Sequence, residues 1–128
     1  MSEPTHVERA ATLVAEIVAL GVLVEGLPLP AEAPPAIAED MAVVRTQSHN
    51  AVAAIEHLNG LVARGSCGEL DTLLHRLNNF FTGIASLATL CRDDVRGAPA
   101  LSAQLVAVEA QARRAADRVR ELARSAPR

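Results

Sequence analysis

The stretch LLHRLNNFFTGIASL, residues 73–87, decides the fold of this chain. Its apolar residues recur at helical spacing, yet it holds a histidine, an arginine and two asparagines between positions 75 and 79. The only two aromatic residues of the chain, Phe80 and Phe81, follow directly. An apolar period near 3.6 residues, with polar residues on the other side, predicts an amphipathic α-helix whose inward face includes both phenylalanines.

Apolar residues repeat every seven positions along three segments of the chain. In the segment around residue 75 the repeat is Leu70, Leu77, Ile84 and Cys91. A later segment repeats Leu101, Val108, Ala115 and Leu122, and an earlier one repeats Ile37, Val44, Ala51 and Leu58. Such apolar seams predict long helices that pack side by side.

Proline and glycine separate the predicted helices at three breaks: EGLPLPAEAPP (25–35), GSCG (65–68) and RGAP (96–99). The helices between them are predicted at 5–24, 35–64, 69–95 and 99–125. No segment alternates apolar and polar residues as a strand does. Because short breaks join neighbouring antiparallel helices, we predict an all-α fold of antiparallel hairpins that form a four-helix bundle.

In this bundle residues 1–64 form an N-terminal hairpin and residues 65–128 a second hairpin, within a single folding unit. The first helix is apolar on nearly all sides, so we expect it to be deeply packed or to lie at a subunit contact. We also expect a homodimer whose core is formed by two copies of residues 69–123.

Composition and charge argue against several classes of partner and site. The net charge of −3 indicates no nucleic-acid partner. The longest apolar run, residues 10–24, is interrupted by Thr12 and Glu16 and is too short to cross a membrane, and the N-terminus has no signal-peptide pattern. We therefore expect a cytoplasmic protein with no membrane partner, in which the isolated Cys67 and Cys91 remain thiols.

No metal site is predicted. The only Glu-x-x-His pattern, Glu3 to His6, lies at the terminus, whereas di-metal bundles use two such motifs that point inward. The arginines of the last helix, Arg113, Arg118 and Arg120 among them, alternate with Glu109, Asp117 and Glu121. We expect these charges to pair with one another on a solvated face.

His75 lies on the opposite side of its helix from the Leu70 and Leu77 seam. Three polar residues share its side at spacings of four, seven and eleven positions, and together with His75 they form what we call the polar stripe: His75, Asn79, Thr82 and Ser86. Arg76 and Asn78 flank it. An exposed histidine is often an ordinary surface residue, as we expect of His49 and His57 on the second helix.

The segment HRLNNFFTGIASL, followed by a polar turn and another amphipathic helix, resembles the phosphoacceptor region of sensor histidine kinases. In that family the dimerisation and phosphotransfer domain is a helical hairpin, with the acceptor histidine exposed on its first helix. His-Arg-Leu-Asn-Asn is similar to the H-R-x-x-N form of one kinase subfamily, and LNNFFTGI to the L-N-N-x-L-T-x-I run of another. The resemblance covers residues 69 to about 123, and His75 matches the acceptor.

The resemblance implies phosphoryl transfer without a kinase reaction. Arg76 stands where many of these kinases carry the carboxylate that serves as general base for attack on ATP. The chain also contains no GxxxxGK[ST] loop and no boxes of the family's ATP-binding domain. We therefore expect it neither to bind ATP nor to label itself, and to hold no cofactor, with Mg²⁺ bound by the partner receiver domain.

The predicted function is that of a stand-alone histidine phosphotransfer protein of a two-component phosphorelay. His75 exchanges a phosphoryl group with the aspartate of a response-regulator receiver domain, or receives it from a histidine kinase. Asn79 would orient a water molecule and Arg76 would contact phosphoryl oxygens or an acidic partner surface, while Asn78, Thr82 and Ser86 would contact the partner. The alternative is a non-enzymatic helical adaptor or inhibitor that binds a kinase or response regulator, and a third option is a structural coiled-coil module.

Overall fold

The computed structural model describes residues 4–125 and contains five α-helices in this part of the chain. They are α1 (His6–Glu25), α2 (Ala38–Ala53), α3 (Ile55–Arg64), α4 (Cys67–Asp94) and α5 (Pro99–Ser125). No strand occurs within residues 4–125. Because only Ala54 separates α2 from α3, these two helices form one interrupted rod. The chain therefore builds four rods, and the prediction of an all-α helical bundle is confirmed.

Neighbouring rods of the bundle run antiparallel. The beginning of α1 meets the end of α5, where His6 Nδ1 lies 3.1 Å from Ser125 Oγ. At the other end of this pair, Gln104 Nε2 donates a hydrogen bond of 2.9 Å to the carbonyl oxygen of Gly26. α4 packs between α5 and α2, and α1 also packs between α5 and α2, so α1 and α4 occupy opposite corners.

The predicted apolar seams form the core. The members of all three heptad repeats are buried, and one continuous cluster joins them to the inner face of α1. Phe81 is completely buried, whereas Phe80 is half-buried at the edge of the cluster. The expectation that both phenylalanines face inward is therefore correct for Phe81 and only partly correct for Phe80.

The second predicted helix, 35–64, differs from the structure in two ways. It begins only at Ala38, because Pro35 disfavours helical geometry at Pro34 and the chain turns there, with the Ile37 N–H donating to the Pro34 carbonyl. It is also interrupted at Ala54, whose N–H is shared between the carbonyls of Asn50 and Ala51 at 3.1 and 3.2 Å. The predicted continuous helix is thus wrong at this point.

The turn between α3 and α4 sets the direction of the helix that carries His75. Gly65 ends α3 in the left-handed region at φ 66°, which favours glycine because it has no Cβ. The Gly65 N–H donates to the Val62 carbonyl and the Ser66 N–H to the Leu61 carbonyl, the two bonds of a Schellman motif. The chain then reverses at once into α4.

The second hairpin is covered within its own chain. The inward faces of α4 and α5 pack against α1, α2 and α3 in the shared core, so a closed bundle leaves no seam at residues 69–123 for another copy. A homodimer, which stays a prediction, would have to use a different surface. No helix within the described part of the chain combines the length and apolar character that a membrane crossing requires.

Candidate functional site

His75 lies on the solvent-facing side of α4, as its position relative to the seam predicts. All four residues of the polar stripe are exposed, and so is Arg76. Asn78 is half-buried. The predicted site residues therefore share one helix and lie beside one another on its surface, whereas their chemical roles stay predictions.

The imidazole of His75 forms no hydrogen bond or ion pair with another residue of the described range 4–125. Two other histidines are held by partners: His6 by Ser125, and His49 by Glu25, at 2.6 Å from Nε2 to Oε1. Both ring nitrogens of His75 are consequently open to a group that approaches from solution.

A shallow groove runs beside His75 between α4 and α5, and we call it the α4/α5 groove. Its first part, of about 190 Å³, is lined by Asp71, His75 and Asn78 on α4 and by Arg120 on α5. A second part, of about 400 Å³, contains Thr82 and Ser86 together with Arg113 and Arg120. Because Arg120 lines both parts, it lies along the path from His75 to Ser86.

The two arginines of this groove, Arg113 and Arg120, are paired with carboxylates of α5. Arg120 hydrogen-bonds Asp117, and Arg113 Nη2 lies 3.1 Å from Glu109 Oε1. Arg118 pairs with Glu121 at 3.0 Å, so the predicted self-pairing on α5 is confirmed. Sequence reasoning nevertheless missed that two of these arginines border the polar stripe. The sequence does contain a sign of this arrangement: the spacing of Arg113, Ala116 and Arg120 places all three on one flank of the apolar seam of α5.

Arg76 lies on the other side of α4 from this groove. It lines a cavity of about 330 Å³ between α4 and the α2–α3 rod, together with Phe80, Asn50 and His57. His57 is exposed, as predicted, and faces the same cavity as Arg76. The two residues that flank His75 therefore lie on different surfaces: Asn78 on the side of α5 and Arg76 on the side of the α2–α3 rod.

The hydrogen bonds of Thr82 and Asn78 define what each can offer a partner. Thr82 Oγ1 donates to the main-chain carbonyl of Asn78 at 3.0 Å and lies 3.3 Å from that of Asn79. Its single hydroxyl hydrogen is used there, so the Thr82 oxygen can only accept. Asn78 Oδ1 is buried and has no hydrogen-bond partner among the described residues. Asn78 thus lines the α4/α5 groove, but its amide oxygen is enclosed rather than presented to a partner.

Two titratable groups depart from their ordinary pKa values, and both lie away from His75. A hydrogen bond with His49, helped by the charge of Arg45, lowers the pKa of Glu25 at the end of α1. Burial raises the pKa of the Cys91 thiol to about 11, and the nearby carboxylates Asp40 and Asp94 add to this effect.

Within residues 4–125, no three His, Cys, Asp or Glu side chains come together as a metal site would require. The Glu-x-x-His pattern at the N-terminus includes Glu3, which lies outside the described residues.

No family model, curated protein or solved structure matches this chain.

Proposed function

We propose that this chain is a histidine phosphotransfer protein in which His75 accepts a phosphoryl group from a receiver-domain aspartate and can return it. The observation that carries the proposal is that the side chain of His75 is both exposed to solvent and without a hydrogen-bond or ion-pair partner among residues 4–125. His75 projects from a helix whose opposite side is completely buried, and nothing in residues 4–125 occupies its imidazole. A rigidly mounted, unoccupied nucleophile is what transfer between two proteins needs, because phosphoryl transfer depends mainly on positioning.

The transfer requires one bond to form and one to break. An unprotonated ring nitrogen of His75 attacks the phosphorus of the receiver's aspartyl phosphate. The nitrogen–phosphorus bond forms while the bond from phosphorus to the carboxylate oxygen breaks, and the aspartate leaves as a carboxylate that Mg²⁺ on the receiver stabilises. The second ring nitrogen keeps its hydrogen, and the reverse step returns the group.

The residues around His75 divide the remaining tasks. In the α4/α5 groove, Arg120, which is paired with Asp117, supplies a cation near the reacting centre, and Asn78 forms part of the wall that meets the partner. Asn79, one helical turn after His75, is placed to hold a water molecule against the partner's phosphoryl group. Ser86 and Thr82 extend the contact along α4, and Arg76 meets the partner on the α2–α3 side.

The experiment is a transfer assay against a panel of receiver domains from the source organism. Each receiver is first phosphorylated by a small-molecule phosphodonor that carries a label, freed of the donor and mixed with the chain. At least one receiver should lose label to the wild-type chain, and the label should be unstable in acid, as phosphohistidine is. His75→Gln should accept none.

His49→Gln is the matched control, because His49 is exposed on the other hairpin and lines neither the α4/α5 groove nor the cavity that contains Arg76. This variant should accept label at the wild-type rate. Acceptance of label by His75→Gln would overturn the proposal. Binding of a receiver without any transfer would overturn it as well and would favour the adaptor function.

A further inference from the structure

The outer face of α1 is apolar although it is in contact with solvent. Val7 is 66% exposed, Val18 49% and Val22 67%. The exposed Ala11 and Ala15 lie between them at helical spacing. We call these five residues the α1 stripe: Val7, Ala11, Ala15, Val18 and Val22. Single exposed valines are common, but a contiguous apolar stripe of this kind marks an interaction surface.

The α1 stripe continues sideways into a groove shared with α2. This groove, of about 580 Å³, is lined by Val18, Gly21 and Val22 of α1 and by Val52 and Ala53 of α2, with Glu25 and His49 at its end. Val52 is 41% exposed. The apolar surface therefore extends across two rods rather than along one edge of a helix.

No charge interrupts the α1 stripe between its ends. Three charged residues lie within that span: Glu8, Arg9 and Glu16. Arg9 is half-buried, and Glu16 points toward α5, where its Oε2 lies 3.8 Å from Arg118 Nε and its Oε1 3.3 Å from Gln111 Nε2. Glu8 borders the stripe at the beginning of α1, and Glu25 with its partner His49 borders it at the end. The surface is thus an uncharged strip with acidic and mixed polar borders.

We infer that a second copy of this chain covers this surface, with the two α1 helices packed antiparallel about a twofold axis near Ala15. The spacing of the stripe alternates between three and four residues, which is the pattern that meets another helix. Alanines at its centre let two backbones approach closely. A twofold axis sets the same patch against itself, so the stripe of each copy covers that of the other.

Charge selects the antiparallel arrangement. Parallel helices would place Glu8 against the partner's Glu8 and Glu25 against the partner's Glu25, which are like charges. Antiparallel helices keep the two copies of Glu8 apart, because each then lies beside the partner's Glu25, whose carboxylate is already paired with His49 and Arg45. They also set the two helix dipoles in opposition, which is favourable. The inference is independent of the proposed phosphotransfer. Because α1 and α4 occupy opposite corners of the bundle, the dimer would leave His75 open.

The size of the surface sets the strength of the dimer. From Val7 to Val22 the stripe is about 22 Å long at ~1.5 Å per residue. Where the surface extends across both α1 and α2, its width is two helix diameters, about 20 Å. This amounts to roughly 450 Å² per copy, compared with about 800 Å² per partner in a standard stable interface. We therefore expect a dimer that dissociates in the micromolar range or above.

The test is sedimentation equilibrium of the full chain over concentrations from ~1 μM to ~1 mM. The mass should rise from the 13.4 kDa of one chain toward twice that value. Ala15→Arg, which sets two unpaired cations against each other at the twofold axis, should weaken the dimer at least ~10-fold. Leu90→Arg is the matched control, because Leu90 is 57% exposed on α4, and it should dimerise as the wild type does.

A mass of 13.4 kDa at every concentration would overturn the inference. So would an Ala15→Arg variant that dimerises like the wild type. A second measurement fixes the orientation: with Cys67 changed to Ser, Ala15→Cys should form an intermolecular disulfide under mild oxidation much faster than Val22→Cys. Antiparallel helices set only the centre of the stripe against its own copy, whereas parallel helices would set both positions against their copies. Equal rates at the two positions would contradict the antiparallel arrangement.

Discussion

Replacing Gly83 by alanine probes how closely α2 approaches the helix that carries His75. Gly83 lies seven positions after Arg76, on the α2 side of α4. A Cβ at this position would lie 2.8 Å from Gln47 Oε1 and 3.1 Å from Gln47 Nε2, closer than such atoms pack. Gln47 Oε1 is itself buried, with no hydrogen-bond partner among the described residues. The absence of a side chain at Gly83 therefore makes room for the Gln47 amide.

Two effects of opposite sign follow from Gly83→Ala. Alanine favours the helix by about 1 kcal/mol relative to glycine. The Gln47 amide is the end of a flexible side chain, so moving it aside costs only about 0.5–1.5 kcal/mol. We therefore expect the single variant to change the free energy of unfolding by no more than about 0.5 kcal/mol in either direction. In a Gln47→Ala background the same change should stabilise by about 1 kcal/mol, or about 3–5 °C in Tm.

The assay is a double-mutant cycle measured by urea unfolding of the four proteins: wild type, each single variant and the double variant. The two changes should be coupled by about 1 kcal/mol. If Gly83→Ala has the same effect in both backgrounds, within the ~0.5 kcal/mol expected of independent sites, Gln47 does not pack on Gly83. The described register of α2 against α4 would then be wrong.

Further perturbations test the core, the thiols and the pH dependence. Phe81→Ala should lower the free energy of unfolding by about 3–5 kcal/mol, because it empties a fully buried site, whereas the exposed His75→Ala should change it by less than about 0.5 kcal/mol in the same urea titration. An alkylating reagent at about pH 8 should modify the exposed Cys67 quickly and the buried Cys91 only after unfolding, as peptide mass mapping would show. The lowered pKa of Glu25 contributes stability that is present above its unfolded pKa of 4.5 and is lost as the pH falls through the lower folded value. Glu25→Gln should therefore reduce the loss of stability below pH 4.5 in acid titrations followed by circular dichroism.

Periodicity was sufficient to predict the bundle and the direction in which His75 points. A seven-residue repeat identifies the buried side of a helix, so the exposed position of His75 follows from Leu70 and Leu77 without any knowledge of the neighbouring helices. The ends of the helices were predicted to within three residues, because Pro and Gly mark them. The end of α3 at Gly65 is the clearest case, since a left-handed residue is required there.

The grooves beside His75 depend on which helices pack next to α4, and a seven-residue repeat in the sequence does not contain this information. Arg76 and Asn78 both flank His75 in the sequence, but α5 covers one flank of α4 and the α2–α3 rod the other, so they line different grooves. The break at Ala54 has no signal in the sequence, because alanine is the best helix former. For α1, an apolar surface on nearly all sides left deep packing and subunit contact as alternatives until the exposure of Val22 was known.

The most direct test of the central proposal is to locate the phosphoryl group itself. The chain is incubated with a phosphorylated receiver domain, kept at neutral to alkaline pH, and analysed by intact-mass measurement followed by fragmentation of the peptide that spans residues 73–87. We predict a mass increase of one phosphoryl group that fragmentation assigns to His75 and that mild acid removes. A phosphoryl group assigned to another residue, or a chain that stays unmodified with every receiver of the panel, would contradict the proposal.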